Sequence, residues 1–261
     1  MPTVDSLADL RRLIAEAGNA PPMNLRVDDD AKAVIDESIS RSGLLLLGEV
    51  HGVKETPQVV AAIVQLFGIE ILALEWPEQL TETIDLFRRT GHLHDHDLLW
   101  LGDGRLTPGH LALLKQLADR NPAVDWLAFD PWNPPDLPGE SSWTARDHGM
   151  ARRILGSVDP SRRSLVVAGN AHTPLTRMAY GAPMGQWLEK ERPGLSSVKA
   201  HYGPGAAFNF ERKELGSRHL PPGYGIRLDN DVLVLDHPDP TEADVPYKPD
   251  LFAVDESLGR P

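Results

Sequence analysis

The chain has 261 residues, 41% of them apolar, which is enough to bury a substantial core. Its 38 acidic and 26 basic side chains give a formal net charge of −12, which argues against a nucleic acid as partner. Because it contains no cysteine, a disulfide framework, a thiolate nucleophile and a cysteine-bound metal are all excluded.

The sequence offers no membrane or export signal. No apolar run approaches the roughly 20 residues that cross a bilayer. The opening residues, MPTVDSLADLRRLI, lack the apolar stretch and the cleavage site of a signal peptide. We therefore expect a cytoplasmic protein that acts on a small molecule and has no membrane partner, and the sequence leaves its oligomeric state open.

Short apolar runs alternate with helical patterns along most of the chain. Residues 1–42 contain two patterns typical of packing helices. Strands are then predicted at 44–47, 69–74, 126–129 and 165–168, and helices at 56–67, 78–90, 108–120 and 144–155. This alternation is typical of an α/β fold with a mostly parallel sheet covered by helices on both faces.

The last third of the chain has a different pattern. Short strands are predicted at 197–201, 206–210, 225–228 and 232–235, and the last two form a hairpin that extends the sheet edge. We expect one domain with N-terminal helices (1–42), a core (43–200), and C-terminal strands and tail (201–261). The acidic, proline-containing tail that begins at DHPDPTEAD predicts a loosely ordered extension.

Polar groups follow each of the four apolar strands. In a parallel sheet the carboxyl ends of the strands share one edge, where ligands bind. The helices that return to the sheet start at that edge, so Arg146, Asp103 and Arg105 should lie there as well. The residues that end or follow the strands are Glu49, His51, Glu75, Trp76, Asp130, Asn170 and His172. We expect one cleft in which Glu49, His51, Glu75, Arg146 and His172 converge.

These residue types can activate water. A neutral histidine can take a proton from water, a carboxylate on its other nitrogen fixes the tautomer, and an arginine can stabilise an oxyanion. We expect His51 or His172 to act as the base and Glu49 and Glu75 to orient the histidines. Arg146 is expected to stabilise the developing oxyanion. Asp103, Arg105, Asp130, Trp76 and Asn170 are expected to contact the substrate.

Three alternatives stay open at this stage. Two histidines and two glutamates (Glu49, His51, Glu75 and His172) can also hold a divalent metal that lowers the pKa of a bound water. Arg146 can instead form an ion pair with Asp147 or another neighbour. A protein that keeps the fold without chemistry is a third hypothesis, and it predicts no cleft at this edge.

Four segments resemble a known group of proteins. GEVHG (48–52) follows one strand, ALEW (73–76) ends the next, RDHGMARRI (146–154) opens a helix, and GNAHT (169–173) follows a later strand. Their order and spacing resemble the superfamily of erythromycin esterases, haem-binding ChaN proteins and Tiki/TraB proteins. DGRLTPGHLALLKQL (103–117) is similar to a stretch in bacterial relatives of the esterases.

The resemblance implies a hydrolase of a small-molecule ester, lactone or amide. It matches Glu49 and His51 to the first Glu-His motif of the esterases, Glu75 to the second acidic position, Arg146 to the arginine of the helix, and His172 to the later catalytic histidine. One residue separates Glu49 from His51, as in ChaN-type proteins, whereas esterases usually have two. The ChaN branch therefore implies haem or a metal as an alternative ligand, and the Tiki branch implies a metal-dependent hydrolase.

Four other features are interpreted as structural and not as catalytic. The run His92, His94 and His96 is more typical of a polar loop than of a metal site. GDGR (102–105) follows a predicted helix and lacks the Walker lysine, so nucleotide binding is rejected. Trp76, Trp126, Trp132 and Trp143 are expected in the core and the cleft wall, and the proline-rich 131–138 in a loop at the site.

Overall fold

The computed structural model describes residues 3–216 and 219–248. Its strands are β1 (Thr3–Val4), β2 (Arg26–Val27), β3 (Leu44–Glu49), β4 (Ile71–Pro77), β5 (Asp125–Asp130), β6 (Ser164–Gly169), β7 (Ser196–Tyr202), β8 (Gly205–Asn209), β9 (Glu211–Leu215), β10 (Gly225–Asp229), β11 (Val232–His237) and β12 (Val245–Pro246). Its α-helices are α1 (Leu7–Gly18), α2 (Asp29–Ser42), α3 (Thr56–Leu66), α4 (Thr81–Thr90), α5 (Pro108–Arg120), α6 (Ser142–Ser157) and α7 (Met184–Glu191). Two short 3₁₀ helices cover Glu78–Leu80 and Asp97–Trp100.

Eight strands form the main sheet, in the order β2-β10-β11-β7-β3-β6-β4-β5. All neighbouring pairs run parallel except the hairpin β10–β11. The predicted α/β fold is therefore confirmed, and so is the terminal hairpin near the sheet edge. The strand predicted at 206–210 lies outside this sheet, since β8 and β9 pair only with each other.

The central strands are buried on both faces. Every residue of β3, β4 and β6 is buried, and the side chains alternate between two cores. Leu45 and Leu47 belong to the core formed with helices α1 to α5, whereas Leu44 and Leu46 belong to the core formed with α6 and α7. This two-sided burial explains why the strands read as continuous apolar runs.

Several boundaries differ from the prediction. Helix α7 was not expected, because it has only eight residues and includes Gly185, so its periodic signal is short. The helix predicted at 78–90 begins with a 3₁₀ turn. The predicted loose tail is wrong up to residue 248, because β11 continues to His237 and β12 pairs with β1, with Val245 buried. The remainder of the predicted tail lies outside the described residues.

Among residues 3–216 and 219–248, no helix has the length and apolar character needed to span a membrane.

Candidate active site

The polar residues gather where parallel strands end. Strands β3, β6, β4 and β5 are consecutive neighbours in the sheet, and they end at Glu49, Gly169, Pro77 and Asp130. Glu75 is the fifth residue of β4. Helix α6, which starts at Ser142 and carries Arg146 in its second turn, begins at the same edge. The structure therefore brings the five predicted catalytic side chains together.

Each of the two histidines is held by a carboxylate. Nδ1 of His51 lies 2.9 Å from Oε1 of Glu49. Nδ1 of His172 lies 2.8 Å from Oδ1 of Asp147, whose other oxygen accepts a hydrogen bond from the Met184 backbone N–H at 2.7 Å. Such a carboxylate fixes the ring orientation and leaves Nε2 for chemistry.

Glu75 lies between the two histidines. Its Oε2 is 3.6 Å from Nε2 of His51, and its Oε1 is 3.6 Å from Nε2 of His172. The backbone N–H of Gly169 donates to Oε2 at 2.8 Å, and Arg146 donates to Oε1 at 2.7 Å. The two imidazoles thus face one fixed carboxylate from opposite sides.

Two arginines neutralise the buried acids of the site. Nη2 of Arg146 donates to Asp130 at 2.8 Å, and Nε of Arg146 lies 3.2 Å from the other Asp130 oxygen. Arg105 also donates to Asp130, and its Nε donates to Asp103 at 2.7 Å. Asp130 is fully buried, so both guanidiniums stabilise a charge that would otherwise be costly. Arg146 pairs with these acids and not with Asp147, which binds His172.

One nitrogen of Arg146 makes no carboxylate contact in this network. Its Nη1 lies 3.4 Å from Nε2 of His172, a distance near the limit of a hydrogen bond. A quarter of the Arg146 side chain is exposed. This nitrogen is therefore the one best placed to bind an incoming oxygen atom.

The carboxylates determine the protonation of the site. Burial on its own would lower the pKa of His51, but its hydrogen bond to Glu49 and the charges of Glu75, Glu49 and Asp103 raise it above 6.5. Burial opposes ionisation of Glu75, yet the two histidines and the two arginines hold its pKa well below 4.5. Burial raises the pKa of Asp147, although its bond to His172 works in the opposite direction.

Two glycines allow this close packing. A Cβ atom at Gly169 would lie 3.0 Å from Nε2 of His51 and 3.5 Å from Cδ2 of His172. A Cβ atom at Gly48 would lie 2.6 Å from Oδ1 of Asn170. Side chains at these positions would push the histidine rings or the Asn170 loop aside.

The predicted substrate-contact residues fall into two groups. Asp103, Arg105 and Asp130 belong to the charged network already described. Trp76 is only 1% exposed and donates its indole N–H to the Arg105 carbonyl at 2.9 Å, so it positions that loop instead of facing a ligand. Asn170 packs behind Gly48 and donates from its backbone to the Glu49 carbonyl at 2.8 Å.

Aromatic side chains line one side of the site. Trp143 stacks on His172, with ring centroids 5.5 Å apart and planes 16° from parallel. Tyr180 packs edge-on against Trp143 at 4.6 Å and is 47% exposed. On the other side, the proline-rich loop places Trp132 over the Arg105 guanidinium at 5.7 Å. An exposed aromatic surface next to a histidine favours contact with an apolar group.

The residues do not fit a metal centre. Within the described part of the chain, no group of three or more His, Asp or Glu side chains is arranged around one point where a metal could sit. This includes the run at His92, His94 and His96. Haem ligation requires an imidazole nitrogen that faces an open slot, whereas Nε2 of both His51 and His172 faces Glu75. Haem and metal binding are therefore not favoured by this arrangement.

One well-formed cavity lies away from these residues. It has a volume of about 640 Å³ and is bounded by the loop after α1 and by helices α3 and α5. None of the five predicted catalytic residues lines it. We place the candidate active site at the two histidines and not at this cavity, because the charged side chains converge around the histidines.

Asp147 is a residue of the candidate site that the sequence interpretation missed. The signal was its place on the apolar stripe of α6, three residues before Met150, four before Ala151 and seven before Ile154, all of which are buried. A carboxylate on the buried stripe of a helix needs a partner inside the protein. Here the partner is His172.

Comparison with known proteins supports the fold but not a specific activity. No family model and no curated protein matches the sequence. Three solved structures are similar over nearly their whole length. One is an erythromycin esterase mutant in an open conformation, with a TM-score of 0.62 and 9% identity over 83% of this chain and 95% of that chain. Another is a Bacillus cereus protein, with a TM-score of 0.61 and 12% identity over 90% of this chain and 99% of that chain. The third is a succinoglycan biosynthesis protein, with a TM-score of 0.59 and 11% identity over 92% of this chain and 99% of that chain. The expected esterase-like fold is thus confirmed.

Proposed function

We propose that this protein, whose fold is similar to that of erythromycin esterase, hydrolyses an ester, lactone or amide bond of a small molecule by direct attack of water. One observation carries the proposal: two histidine–carboxylate pairs turn their Nε2 atoms toward the same buried glutamate, with an arginine beside it. Clustered ionisable groups with shifted pKa values at a sheet edge are the usual mark of an active site.

We assign the general base to His51. Its Nδ1 is bound to Glu49, so the neutral ring presents the Nε2 lone pair. Nε2 of His51 lies 3.6 Å from Oε2 of Glu75, a distance too long for a direct hydrogen bond. The nitrogen can therefore accept a hydrogen bond from water. Its raised pKa, above 6.5, suits proton transfer near neutral pH. The proton taken from water then returns to the leaving group.

Arg146 and His172 form the second half of the site. Because Asp147 fixes the proton on Nδ1 of His172, Nε2 can accept a hydrogen bond from Nη1 of Arg146. The second N–H of Nη1 has no carboxylate partner in the network and is available to a substrate oxygen. When the substrate carbonyl develops negative charge, Nη1 donates to it, and such a donor typically contributes about 10²–10³-fold to the rate.

No nucleophile of the chain is needed. The sequence has no cysteine and no Gly-x-Ser-x-Gly turn, and no serine hydroxyl is hydrogen-bonded to His51 or His172 among the described residues. Attack by water therefore accounts for the arrangement without a covalent intermediate. The half-buried ring of Trp143 and the exposed ring of Tyr180 would support an apolar group of the substrate next to His172.

The proposal is tested with a panel of nitrophenyl esters and lactones. We expect hydrolysis by the wild type, loss of about 10²–10⁴-fold in His51→Ala, and a comparable loss in His172→Ala. The matched control is His148→Ala, since His148 is half-buried on the same helix as Arg146 and packs against Trp187, outside the network. If the His51 and His172 variants hydrolyse as fast as the control, the assigned site is wrong.

A further inference from the structure

Glu49 also lines a small cavity, beside three other residues with polar side chains, that none of the other predicted catalytic residues lines. The cavity has a volume of about 10 Å³. This is roughly the space that a single water molecule requires. The residues that line it include four with polar side chains, Glu49, Thr56, Tyr202 and His237. The other lining residues are apolar: Leu47, Val59, Ala200 and Leu235.

Two of the lining residues, Glu49 and His237, carry buried polar atoms that have no hydrogen-bond partner among the described residues. Oε2 of Glu49 accepts no hydrogen bond from any described residue, although Oε1 is bound to His51. Both ring nitrogens of His237, a side chain only 1% exposed, also have no hydrogen-bond partner within the described chain. Buried polar atoms are nearly always satisfied, by protein or by an ordered water. Glu49 and His237 line the same one-water cavity, so a single water there would satisfy one unpartnered atom of each residue.

The chemistry of the walls matches the bonds of one water. Burial lowers the pKa of His237 to about 4, so its ring is neutral near pH 7 and has one N–H donor and one acceptor nitrogen. The Tyr202 hydroxyl accepts from the Val50 N–H at 2.9 Å and also hydrogen-bonds with the Thr56 side chain, so both hydroxyls are grouped at this cavity. The rings of Tyr202 and Tyr224 pack against the His237 ring, with centroids 5.1 and 4.8 Å from its centroid. This packing fixes the orientation of the His237 ring.

We propose that one water molecule occupies this cavity and links His237 to the second carboxylate oxygen of Glu49. The ring N–H of His237 or the Tyr202 hydroxyl donates to the water, and the water donates to Oε2. Glu49 is then held at both oxygens, by His51 on one side and by the water on the other. This makes His237 a positioning residue for the Glu49–His51 pair, and only its catalytic consequence rests on the proposed function.

The water is tested directly in the wild type. A crystal structure at high resolution should show one ordered water about 2.6–3.2 Å from Oε2 of Glu49 and from a ring nitrogen of His237 or the Tyr202 oxygen. A dry cavity, or a protein group bonded to Oε2 in its place, would overturn the proposal.

The positioning role is tested by NMR titration of His51. In His237→Leu the water loses a partner, Glu49 is free to turn, and the pKa of His51 should fall toward 6.5 because the Glu49 hydrogen bond raises it. His237→Gln, which keeps a polar side chain at the cavity, should restore part of the shift. The matched control, His148→Leu, removes a histidine that contacts Trp187 and should leave His51 unchanged.

The outcomes separate this proposal from the proposed function. If the esters are hydrolysed, His237→Leu should lower kcat about tenfold, the equivalent of one hydrogen bond, with KM unchanged. If no ester is hydrolysed, the crystal structure and the titration still decide the matter, because neither uses activity. A folded His237→Leu variant with an unchanged His51 titration refutes the positioning role. If that variant does not fold, the wild-type crystal structure decides.

Discussion

Replacing Asp147 by asparagine should reverse the tautomer of His172. In the wild type one Asp147 oxygen accepts from the Met184 N–H at 2.7 Å, and the other lies 2.8 Å from Nδ1 of His172. In Asp147→Asn the amide oxygen must take the Met184 position, so the amide NH₂ faces Nδ1. Nδ1 then becomes an acceptor, and the ring proton moves to Nε2.

The consequence falls on Arg146. With a proton on Nε2, His172 presents a donor to Nη1 of Arg146, a donor that lies only 3.4 Å away. The two N–H groups repel each other, and the nitrogen assigned to the developing oxyanion is displaced. Loss of one such donor lowers kcat by about 10²–10³-fold, and we expect an effect of that size.

Two measurements check this prediction. The ¹⁵N chemical shifts of His172 report which ring nitrogen carries the proton, and ester hydrolysis reports kcat. Asp119→Asn is a suitable control, since Asp119 is exposed on α5 and forms an ion pair with Lys115, away from the histidine site. An Asp147→Asn protein that is folded, has the same His172 tautomer as the wild type and retains full activity would refute the reasoning.

Four further predictions follow from the same geometry. Arg146→Lys keeps the charge but cannot make the same set of bonds to two buried carboxylates, so it should destabilise the protein by about 1–3 kcal/mol in urea unfolding. Gly169→Ala should lower activity by displacing the histidine rings, whereas unfolding should change little if the rings are free to move. Hydrolysis should increase with pH through a pKa above 6.5, because His51 must lose its proton to act as a base, and an acidic limb centred below 6.5 would contradict this. Tyr180→Ala should raise KM for aromatic esters but not for acetyl esters, and Val232→Ala, an equally exposed apolar residue, should change neither.

The fold and the position of the site could be predicted because they depend on local patterns. Leu44 to Leu47 form an apolar run that is too short for a typical helix, and such runs form buried parallel strands. Once the strands are parallel, the residues that end them must share an edge. That step placed Glu49 and Glu75 together without any knowledge of the side-chain packing.

The partners within the site could not be predicted, because they depend on distances between distant segments. Arg146 and Asp147 are neighbours in the sequence, yet they project from α6 in different directions, one toward Asp130 and the other toward His172. Likewise, nothing in the sequence near His237 indicates that β11 carries it to the cavity behind Glu49. Both contacts exist only after the sheet has been assembled.

The balance of charge bears on the substrate class of the proposed hydrolase. Five carboxylates (Glu49, Glu75, Asp103, Asp130 and Asp147) converge with only two guanidiniums, so with neutral histidines the cluster has an excess of negative charge. This excess raises the pKa of His51 and would repel a phosphate or a free carboxylate. It would also favour release of a carboxylate product. A neutral ester, lactone or amide therefore suits the electrostatics of the site better than an anionic substrate does.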